Sequence, residues 1–325
     1  MANTLAIIGA GAWGSALAIA LSDKFDTLYL YAHTEQEAKQ LQPQHPALPT
    51  PYPSNISIQS DLSNLDQVND ILIAVPSYGF ADTLEALKPL LQDRHQLAWV
   101  TKGFDTKSNS FLHESFERIL TDKKACVISG PSFAFEVADN KPTALVVGST
   151  DVNTRQHFAQ LMQTQYLRAY TNADIIGVEI GGSVKNILAI AAGIAAGLGF
   201  GANTQAALIT RGLAEMTRLG TALGAQESTF VGLSGLGDLA LTCSDDLSRN
   251  RRFGRELANN HSVAQALENV GATVEGLNTL ELVLSIAKQH QVEMPICEQV
   301  WRVTQGEVSP TQAVQQLMSR EQTGE

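Results

Sequence analysis

Lys185 is the residue of this sequence best suited to proton transfer. It is the one cation in the otherwise uncharged run from Gly181 to Thr210. Burying an ammonium is costly unless it is paired, and burial lowers the pKa of an unpaired lysine towards a value that suits a general acid or base. The alternative is a lysine whose stem crosses apolar surface while its charged end reaches water, and the residue alone leaves this open.

Asp238 and an arginine-rich segment are candidates to complete such a site. Asp238 ends the run Gly235-Leu236-Gly237-Asp238 and could hold an ammonium or a substrate hydroxyl. The segment Ser248-Arg249-Asn250-Arg251-Arg252 offers guanidinium groups, whose planar fork suits a phosphate, and an amide donor. Charge runs usually form a solvated face, so this segment by itself favours that simpler interpretation.

A second kind of site is predicted near the start of the chain. Gly9-Ala10-Gly11-Ala12-Trp13-Gly14 is a GxGxxG motif that directly follows an apolar strand and opens a helix. Gly9 permits a tight turn, Gly11 keeps side chains away from a pyrophosphate, and Gly14 allows close helix packing. The helix start supplies N–H groups and a positive dipole end. The motif predicts NAD or NADP binding; a glycine-rich turn without a ligand is the alternative.

The end of the second strand bears on the choice of cofactor. This strand ends Tyr31-Ala32-His33-Thr34, without the Asp or Glu that often bonds the ribose of NAD. His33 could stack on adenine or donate to a 2′-phosphate, or it could be a solvated loop residue. The sequence therefore makes NADP use plausible and dual use possible.

Three further strands end in residues that suit a ligand. Val75-Pro76-Ser77, Thr101-Lys102-Gly103 and Ser129-Gly130-Pro131-Ser132 each close a strand. In open α/β sheets ligands lie at the carboxyl edge, so we expect Lys102 to reach the nicotinamide end of the crevice. The turn at Gly130 and Ser132 could offer N–H groups to a substrate oxygen, or it could be an ordinary turn.

The order of elements predicts the fold. Strand-like and helix-like segments alternate up to about Tyr170, which predicts a parallel sheet with right-handed crossovers. Helical patterns dominate afterwards. We therefore predict an α/β Rossmann-type N-terminal domain with a mostly parallel sheet at residues 1–178, followed by an all-α substrate and dimerisation domain at residues 179–325. The predicted strands are Leu5–Ile8, Thr27–Ala32, Ile71–Val75, Leu97–Thr101, Ala125–Ile128 and Ala144–Val147.

Composition narrows the class of protein. A net charge of −11 argues against a nucleic-acid partner. Three widely spaced cysteines predict a reducing compartment, and the seven histidines show no metal-ligand spacing, so no metal is expected. The longest apolar stretch, Ile187–Ala202, has 16 residues where a membrane span needs roughly 20. We expect a close-packed helix there, no integral membrane segment and, without a secretory signal, a cytoplasmic location.

These motifs together resemble one known family. GAGAWG, VPS, TKG, SGPSFA, GVEIGGSVKNILAIAAG, GFGANTQAALITRGLAEM, GLSGLGDL and SRNRRFG are similar, in order and spacing, to blocks of the bacterial-type NAD(P)-dependent glycerol-3-phosphate dehydrogenases. The resemblance runs from about Leu5 to about Thr304. It implies a homodimer of two-domain subunits that reduces dihydroxyacetone phosphate to sn-glycerol 3-phosphate for phospholipid synthesis.

The resemblance also implies residue roles. Lys185 matches the proton donor and acceptor, and Lys102 matches a lysine that touches both substrate and cofactor. From the residues themselves we expect Asp238 to position Lys185. The positions that match substrate contacts are Gly130, Ser132, Asp238, Ser248, Arg249 and Asn250. Those that match cofactor contacts, besides the glycine motif, are Trp13, His33, Ala134, Arg249 and Glu275. Ala12 stands where serine is common, which removes one hydrogen bond to the cofactor.

Two other functions remain possible at this point. A dehydrogenase of similar build could act on a 3-hydroxy acid or a sugar acid, although it should lack the cluster at Arg249 and Asn250. A nucleotide-sensing regulator could keep the dinucleotide site without any chemistry, although it would have no need for Lys185. Substrate panels and cofactor-binding measurements separate these possibilities.

Overall fold

The computed structural model describes residues 3–319, and the chain divides into two compact units, Met1–Glu179 and Ile180–Glu325. The first unit is built around an eight-stranded sheet with a separate two-stranded hairpin. Its strands are β1 Thr4–Ile8, β2 Thr27–Tyr31, β3 Ile56–Gln59, β4 Asp70–Ile73, β5 Gln96–Trp99, β6 Phe104–Asp105, β7 Ser110–Phe111, β8 Ala125–Ser129, β9 Thr143–Gly148 and β10 Leu167–Asn172. Its helices are α1 Ala12–Leu21, α2 Glu35–Gln40, α3 Phe80–Leu87, α4 Leu112–Ile119, α5 Ala134–Ala138 and α6 Val152–Met162.

The sheet has the strand order of a dinucleotide-binding fold. The order is β10-β9-β8-β5-β4-β1-β2-β3, and every neighbouring pair is parallel except β8 and β9. The segment 3-2-1-4-5 is the Rossmann order, whose direction reverses between β1 and β4. The predicted Rossmann-type domain with a mostly parallel sheet is therefore confirmed, with one antiparallel pair as a departure.

Two strands of this sheet were not predicted. β3 and β10 lie at its two edges. β10, Leu-Arg-Ala-Tyr-Thr-Asn, is largely exposed, and β3 has only four half-buried residues. Central parallel strands such as β1 are buried on both faces and read as continuous apolar runs. Edge strands lack that signal, which explains the omission.

The core of the first unit follows from the same pattern. Leu5 and Ile7 in β1, with Leu28 and Leu30 in β2, are fully buried in one apolar cluster. Leu17 on α1 belongs to the same cluster. Burying such a side chain stabilises the fold by about 1.5–3 kcal/mol. This packing fixes the end of β1 against the start of α1, where the glycine motif lies.

The second unit is helical. A long helix, α7 Ile175–Gly197, has its first five residues in the first unit and the rest in the second unit. The remaining helices are α8 Ala202–Ala222, α9 Glu227–Phe230, α10 Asp238–Ser244, α11 Arg249–Ala258, α12 Val263–Val270, α13 Glu275–Gln289, α14 Pro295–Thr304 and α15 Pro310–Met318. The apolar stretch from Ile187 forms the close-packed helix that we expected: it lies in α7, which ends at Gly197 as predicted, and Gly199 follows with a positive φ of 82°.

Small residues in α7 serve close packing. A Cβ on Gly193 would overlap the carbonyl oxygen of Arg251 in α11, and a Cβ on Gly254 would overlap the carbonyl oxygen of Ile190 in α7. The two helices therefore cross with their backbones in contact. This crossing brings α11 against the helix that carries Lys185.

Helix α7 also has the length and composition of a membrane-spanning helix. Of its most apolar window, 83% is buried inside the protein. A core helix passes the same test, so the helix is only weak evidence of a span.

Candidate functional site

The glycine motif lies where the sheet reverses direction. Gly9 follows β1 with a φ of 115°, which favours glycine, and its N–H donates to the carbonyl of Tyr31 at 2.9 Å. Gly11 is the N-cap of α1, whose first turn carries no acidic residue. The first N–H groups of a helix have no intrahelical partner and favour an anion. The local geometry is therefore that of a phosphate site.

The three glycines differ in what requires them. A Cβ on Gly14 would overlap the carbonyl oxygen of Gly9, and one on Gly9 would lie 2.8 Å from the backbone of Ala74 after β4. A Cβ on Gly11 would meet no atom within 4 Å. Gly9 and Gly14 are thus required by internal packing, whereas Gly11 leaves open space beside the helix start. In Rossmann sites the pyrophosphate lies at this position.

The carboxyl ends of four neighbouring strands meet at this edge, because β1, β4, β5 and β8 are parallel. The Thr101 hydroxyl donates to the carbonyl of Val75 at 2.8 Å and joins two of these ends. Lys102 Nζ donates to the carbonyl of Gly130 at 3.2 Å, and Ser132 Oγ donates to the same oxygen at 3.0 Å. Lys102, Gly130 and Ser132 therefore form one group at the sheet edge.

Three of the predicted cofactor residues of the first unit lie at the starts of two helices. Ala12 and Trp13 open α1, and Ala134 opens α5; all three are partly buried against the core. The indole Nε1 of Trp13 is buried and has no hydrogen-bond partner within residues 3–319. Helices α1 and α5 pack against each other. These residues thus share one region of the first unit.

The tip of β2 corrects one expectation. His33 is exposed, as a ribose-site residue should be. Its backbone N–H, however, donates to Oε2 of Glu37 at 2.8 Å. The expectation of no acid at this tip was wrong, because the carboxylate arrives from the first turn of α2 rather than from the strand itself.

Lys185 lies in a buried polar cluster of the helical unit. Its Nζ donates to Oδ1 of Asp238 at 2.5 Å and to the Thr242 hydroxyl at 2.9 Å. Lys185 is 6% exposed and Asp238 1% exposed. The sequence argument for proton transfer assumed an ammonium without a partner, and the structure supplies a carboxylate. The alternative of a lysine reaching bulk water is not what the structure shows.

A second network ties α11 and α13 to α7 beside Lys185. Asn250 Nδ2 donates to Oδ1 of Asn186 at 3.0 Å, and Asn250 Oδ1 accepts from the Gly276 N–H at 2.9 Å. Asn186 Nδ2 donates to Oε2 of Glu275 at 3.4 Å. Asn250 and Glu275 therefore both bond Asn186, which is the residue next to Lys185 in α7.

The arginine cluster divides into two pairs. Arg251 and Arg255 both form ion pairs with Asp246. Arg249 and Arg252 are exposed, and within residues 3–319 neither forms an ion pair with an acidic side chain. The Ser248 hydroxyl caps α11 by accepting from the Arg251 N–H at 3.2 Å. Arg249 therefore stands at a helix N-terminus with its guanidinium available to an anion.

Two residues of the cluster were not singled out from sequence. Thr242 lies four residues after Asp238, on the same face of α10, but α10 was not predicted as a helix because it follows the glycine-rich turn Leu233–Gly237. Asn186 was quoted only as part of a motif. A predicted helix from Asp238 would have revealed Thr242 through its i, i+4 spacing.

The thiols are poorly suited to act as nucleophiles. Cys126, Cys243 and Cys297 are free and buried. Burial raises the pKa of Cys243 to about 12, although Lys185 and Arg251 lower it in part. Within residues 3–319 no group of three or more His, Cys, Asp or Glu residues could hold a metal ion.

Comparison with known proteins shows the family to which this chain is similar. Residues 4–155 match the family described as NAD-dependent glycerol-3-phosphate dehydrogenase N-terminus, and residues 174–315 match the corresponding C-terminus. The chain is 71% identical to a glycerol-3-phosphate dehydrogenase [NAD(P)+] of Ruthia magnifica over the full length of both. It is 66% identical to the enzyme of that name from Vesicomyosocius okutanii, covering 99% and 98% of the two chains.

A solved structure extends the match to three dimensions. The crystal structure of glycerol-3-phosphate dehydrogenase from Coxiella burnetii superposes with a TM-score of 0.93 at 42% identity, covering 98% of this chain and 99% of that one. Both units of the present chain are therefore represented in that structure.

Proposed function

We propose that this chain, which belongs to the NAD-dependent glycerol-3-phosphate dehydrogenase family, is an oxidoreductase that interconverts dihydroxyacetone phosphate and sn-glycerol 3-phosphate with NAD or NADP. One observation carries the proposal: Lys185, Asp238 and Thr242 form a buried cluster, and Asn186, the residue after Lys185 in α7, is hydrogen-bonded to Asn250 in the helix that begins at Arg249. The chain thus combines a proton-transfer group with an anion-binding group in one helical unit.

Lys185 acts as the general acid for ketone reduction. Its ammonium donates a proton to the C2 oxygen of the substrate, and in the reverse direction the neutral amine takes the proton from the hydroxyl. Asp238 and Thr242 hold Nζ in place, which restricts the orientation of the ammonium from which the proton is transferred. Such positioned proton transfer contributes typically 10²–10⁴-fold to a rate.

Arg249 and its neighbours bind the substrate phosphate. The guanidinium at the first position of α11 offers two parallel donors, and the N-terminus of the helix favours the same charge. Asn250 is already bonded through Oδ1 and through one N–H of Nδ2, so its second N–H can reach the ligand. Ser248 serves mainly as the helix cap. Lys102, Gly130 and Ser132 are proposed as the polar contacts contributed by the sheet edge.

The glycine motif holds the cofactor. The open space beside Gly11, the start of α1 and the indole of Trp13 fit a pyrophosphate and its adjoining groups. His33, Ala134 and Glu275 are the further proposed contacts, with Arg249 shared between substrate and cofactor. When bound, the nicotinamide supplies or accepts the hydride at C2.

A substrate panel tests the proposal. Purified protein is assayed by nicotinamide absorbance with dihydroxyacetone phosphate, unphosphorylated dihydroxyacetone, a 3-keto acid and a sugar-acid ketone, each with NADH and with NADPH. We expect turnover of dihydroxyacetone phosphate alone, with kcat/KM for the unphosphorylated ketone lower by at least 10²-fold. Equal activity on both ketones would reject the phosphate site, and cofactor binding without any turnover would indicate a regulator instead.

The setting of the reaction is part of the proposal. We propose a cytoplasmic homodimer that supplies glycerol 3-phosphate for phospholipid synthesis. The resemblance to the family supports the assembly and the role, and three free buried thiols suit a reducing compartment. Sedimentation velocity of the purified protein tests the dimer.

A further inference from the structure

The side chain of Glu37 places a carboxylate at the tip of β2. Thr34 caps α2 by accepting from the Glu37 N–H at 3.1 Å. A glutamate at this helix position usually bonds back to the N–H of the cap residue. Here Oε2 reaches one residue further and accepts from the His33 N–H at 2.8 Å. The carboxylate is therefore held beside the residues that directly follow the strand.

In the part of the chain that the structure describes, no cation offsets the charge of the Glu37 carboxylate. The sequence has no lysine or arginine from Phe25 to Ala38. The next cation, Lys39, pairs with Glu35 at 2.6 Å on the exposed face of the same helix. Within residues 3–319 no basic side chain forms an ion pair with Glu37. The tip of β2 thus carries a net negative charge.

Two loop residues face this charge without neutralising it. Burial lowers the pKa of His45 and the Glu37 carboxylate partly raises it again, so the imidazole stays largely neutral at pH 7. Burial raises the pKa of Tyr52, and Glu37 raises it further. Neither group provides a positive charge at neutral pH.

We infer that Glu37 selects the cofactor and makes the enzyme prefer NADH to NADPH, an inference that rests on the proposed dehydrogenase function. In Rossmann sites the adenosine ribose lies at the end of the second strand, where a carboxylate accepts from the ribose hydroxyls. A 2′-phosphate there meets a like charge. The His33 N–H, which could have served that phosphate, is already bonded to Glu37.

The structure differs here from the expectation drawn from the sequence. The strand itself ends without an acid, which suggested that NADP could bind. The structure shows that Glu37, four positions after His33, places its carboxylate at the end of β2. Selectivity is therefore built by the cap of α2 rather than by the strand.

Cofactor kinetics of Glu37→Gln test the inference. The amide keeps an acceptor for the His33 N–H but removes the charge. For the unaltered enzyme we expect kcat/KM with NADH to exceed that with NADPH by at least tenfold. In Glu37→Gln we expect this ratio to fall at least fivefold, mainly through a lower KM for NADPH, with KM for dihydroxyacetone phosphate unchanged.

Glu35→Gln is the matched control, because it removes a carboxylate two residues away that is already paired. We expect it to change the cofactor ratio less than twofold. Equal use of both cofactors by the unaltered enzyme, a ratio unchanged within twofold in Glu37→Gln, or an equal effect of Glu35→Gln would each overturn the inference.

Calorimetric titration with NADH and NADPH separates this inference from the proposed function. If the protein turns over no substrate, the proposed reaction fails, but the two dissociation constants still report selectivity. A tenfold preference for NADH that disappears in Glu37→Gln would uphold the role of the carboxylate. Equal dissociation constants in the unaltered protein would reject it.

Discussion

The two candidate sites differ in the chemical groups that form them. At the sheet edge of the first unit, the phosphate site is formed by backbone: glycines, a helix start and strand ends. In the helical unit the site is formed by side chains from α7, α10, α11 and α13, joined by hydrogen bonds. Backbone sites tolerate most side-chain changes nearby but not changes in packing, whereas side-chain sites depend on individual functional groups.

This difference determines which property of the protein a substitution in each site should change. Substitution in the glycine motif should act on folding or on binding according to the local space. Substitution in the helical cluster should act mainly on chemistry, with a loss of stability where it leaves one buried charge without its partner.

Lys185→Ala should lower kcat by about 10²–10⁴-fold, because a positioned proton donor is removed. Steady-state assay with saturating substrate measures this, and Lys288→Ala at the exposed end of α13 is the control. Turnover within about tenfold of the unaltered enzyme would contradict the acid role. The double variant Lys185→Met with Asp238→Asn removes both buried charges, so it should keep the fold and still lack activity.

Gly14→Ala should destabilise the protein by about 3 kcal/mol, because the new Cβ overlaps the carbonyl oxygen of Gly9. Gly11→Ala should leave the melting temperature nearly unchanged but raise the dissociation constant for the cofactor at least tenfold. Thermal unfolding and calorimetric titration measure the two effects. If both variants lose stability equally, the space beside Gly11 serves packing rather than a ligand.

Arg249→Ala should lower kcat/KM for the phosphorylated substrate by about 10–100-fold, the usual value of a hydrogen bond to a charged group. Arg252→Ala, also exposed on α11, should change it less than threefold. The comparison is repeated at two salt concentrations. An equal, salt-dependent loss in both variants would point to general electrostatic attraction instead of a bound phosphate.

Glu215 lies outside both candidate sites and allows a test of folding stability alone. Its buried carboxylate accepts from the N–H groups of Ile296 and Cys297 at the start of α14. Burial nevertheless raises its pKa to about 7. The group binds its proton more tightly when folded, so its stabilising contribution is complete below pH 4.5 and is lost as the pH rises through 7.

Glu215→Gln should therefore gain stability relative to the unaltered protein by about 1–2 kcal/mol between pH 5 and pH 8. Denaturant unfolding at both pH values measures the change, with the exposed Glu281→Gln as the control. The same pH dependence in Glu215→Gln and the unaltered protein would show that this carboxyl does not titrate in that range.

The sequence allowed the backbone site to be located more directly than the side-chain site. Gly9, Gly11 and Gly14 follow a buried strand at the spacing of a GxGxxG motif, so the residues near them in sequence are enough to predict the site. The edge strands β3 and β10 carry no continuous apolar run and were missed. Lys185, Asp238 and Thr242 are 57 residues apart at most but meet only through helix packing, which spacing does not encode. The charge at the β2 tip depends on one side-chain rotamer.

The buried cysteines have a practical consequence. Cys126, Cys243 and Cys297 are each at most 2% exposed, and burial raises the pKa of every one of these thiols. An alkylating reagent attacks the thiolate and needs access to it. Labelling therefore proceeds only when the surrounding helices or strands open. With one such thiol in β8, one in α10 and one in α14, the rates of labelling give a built-in record of which region opens first.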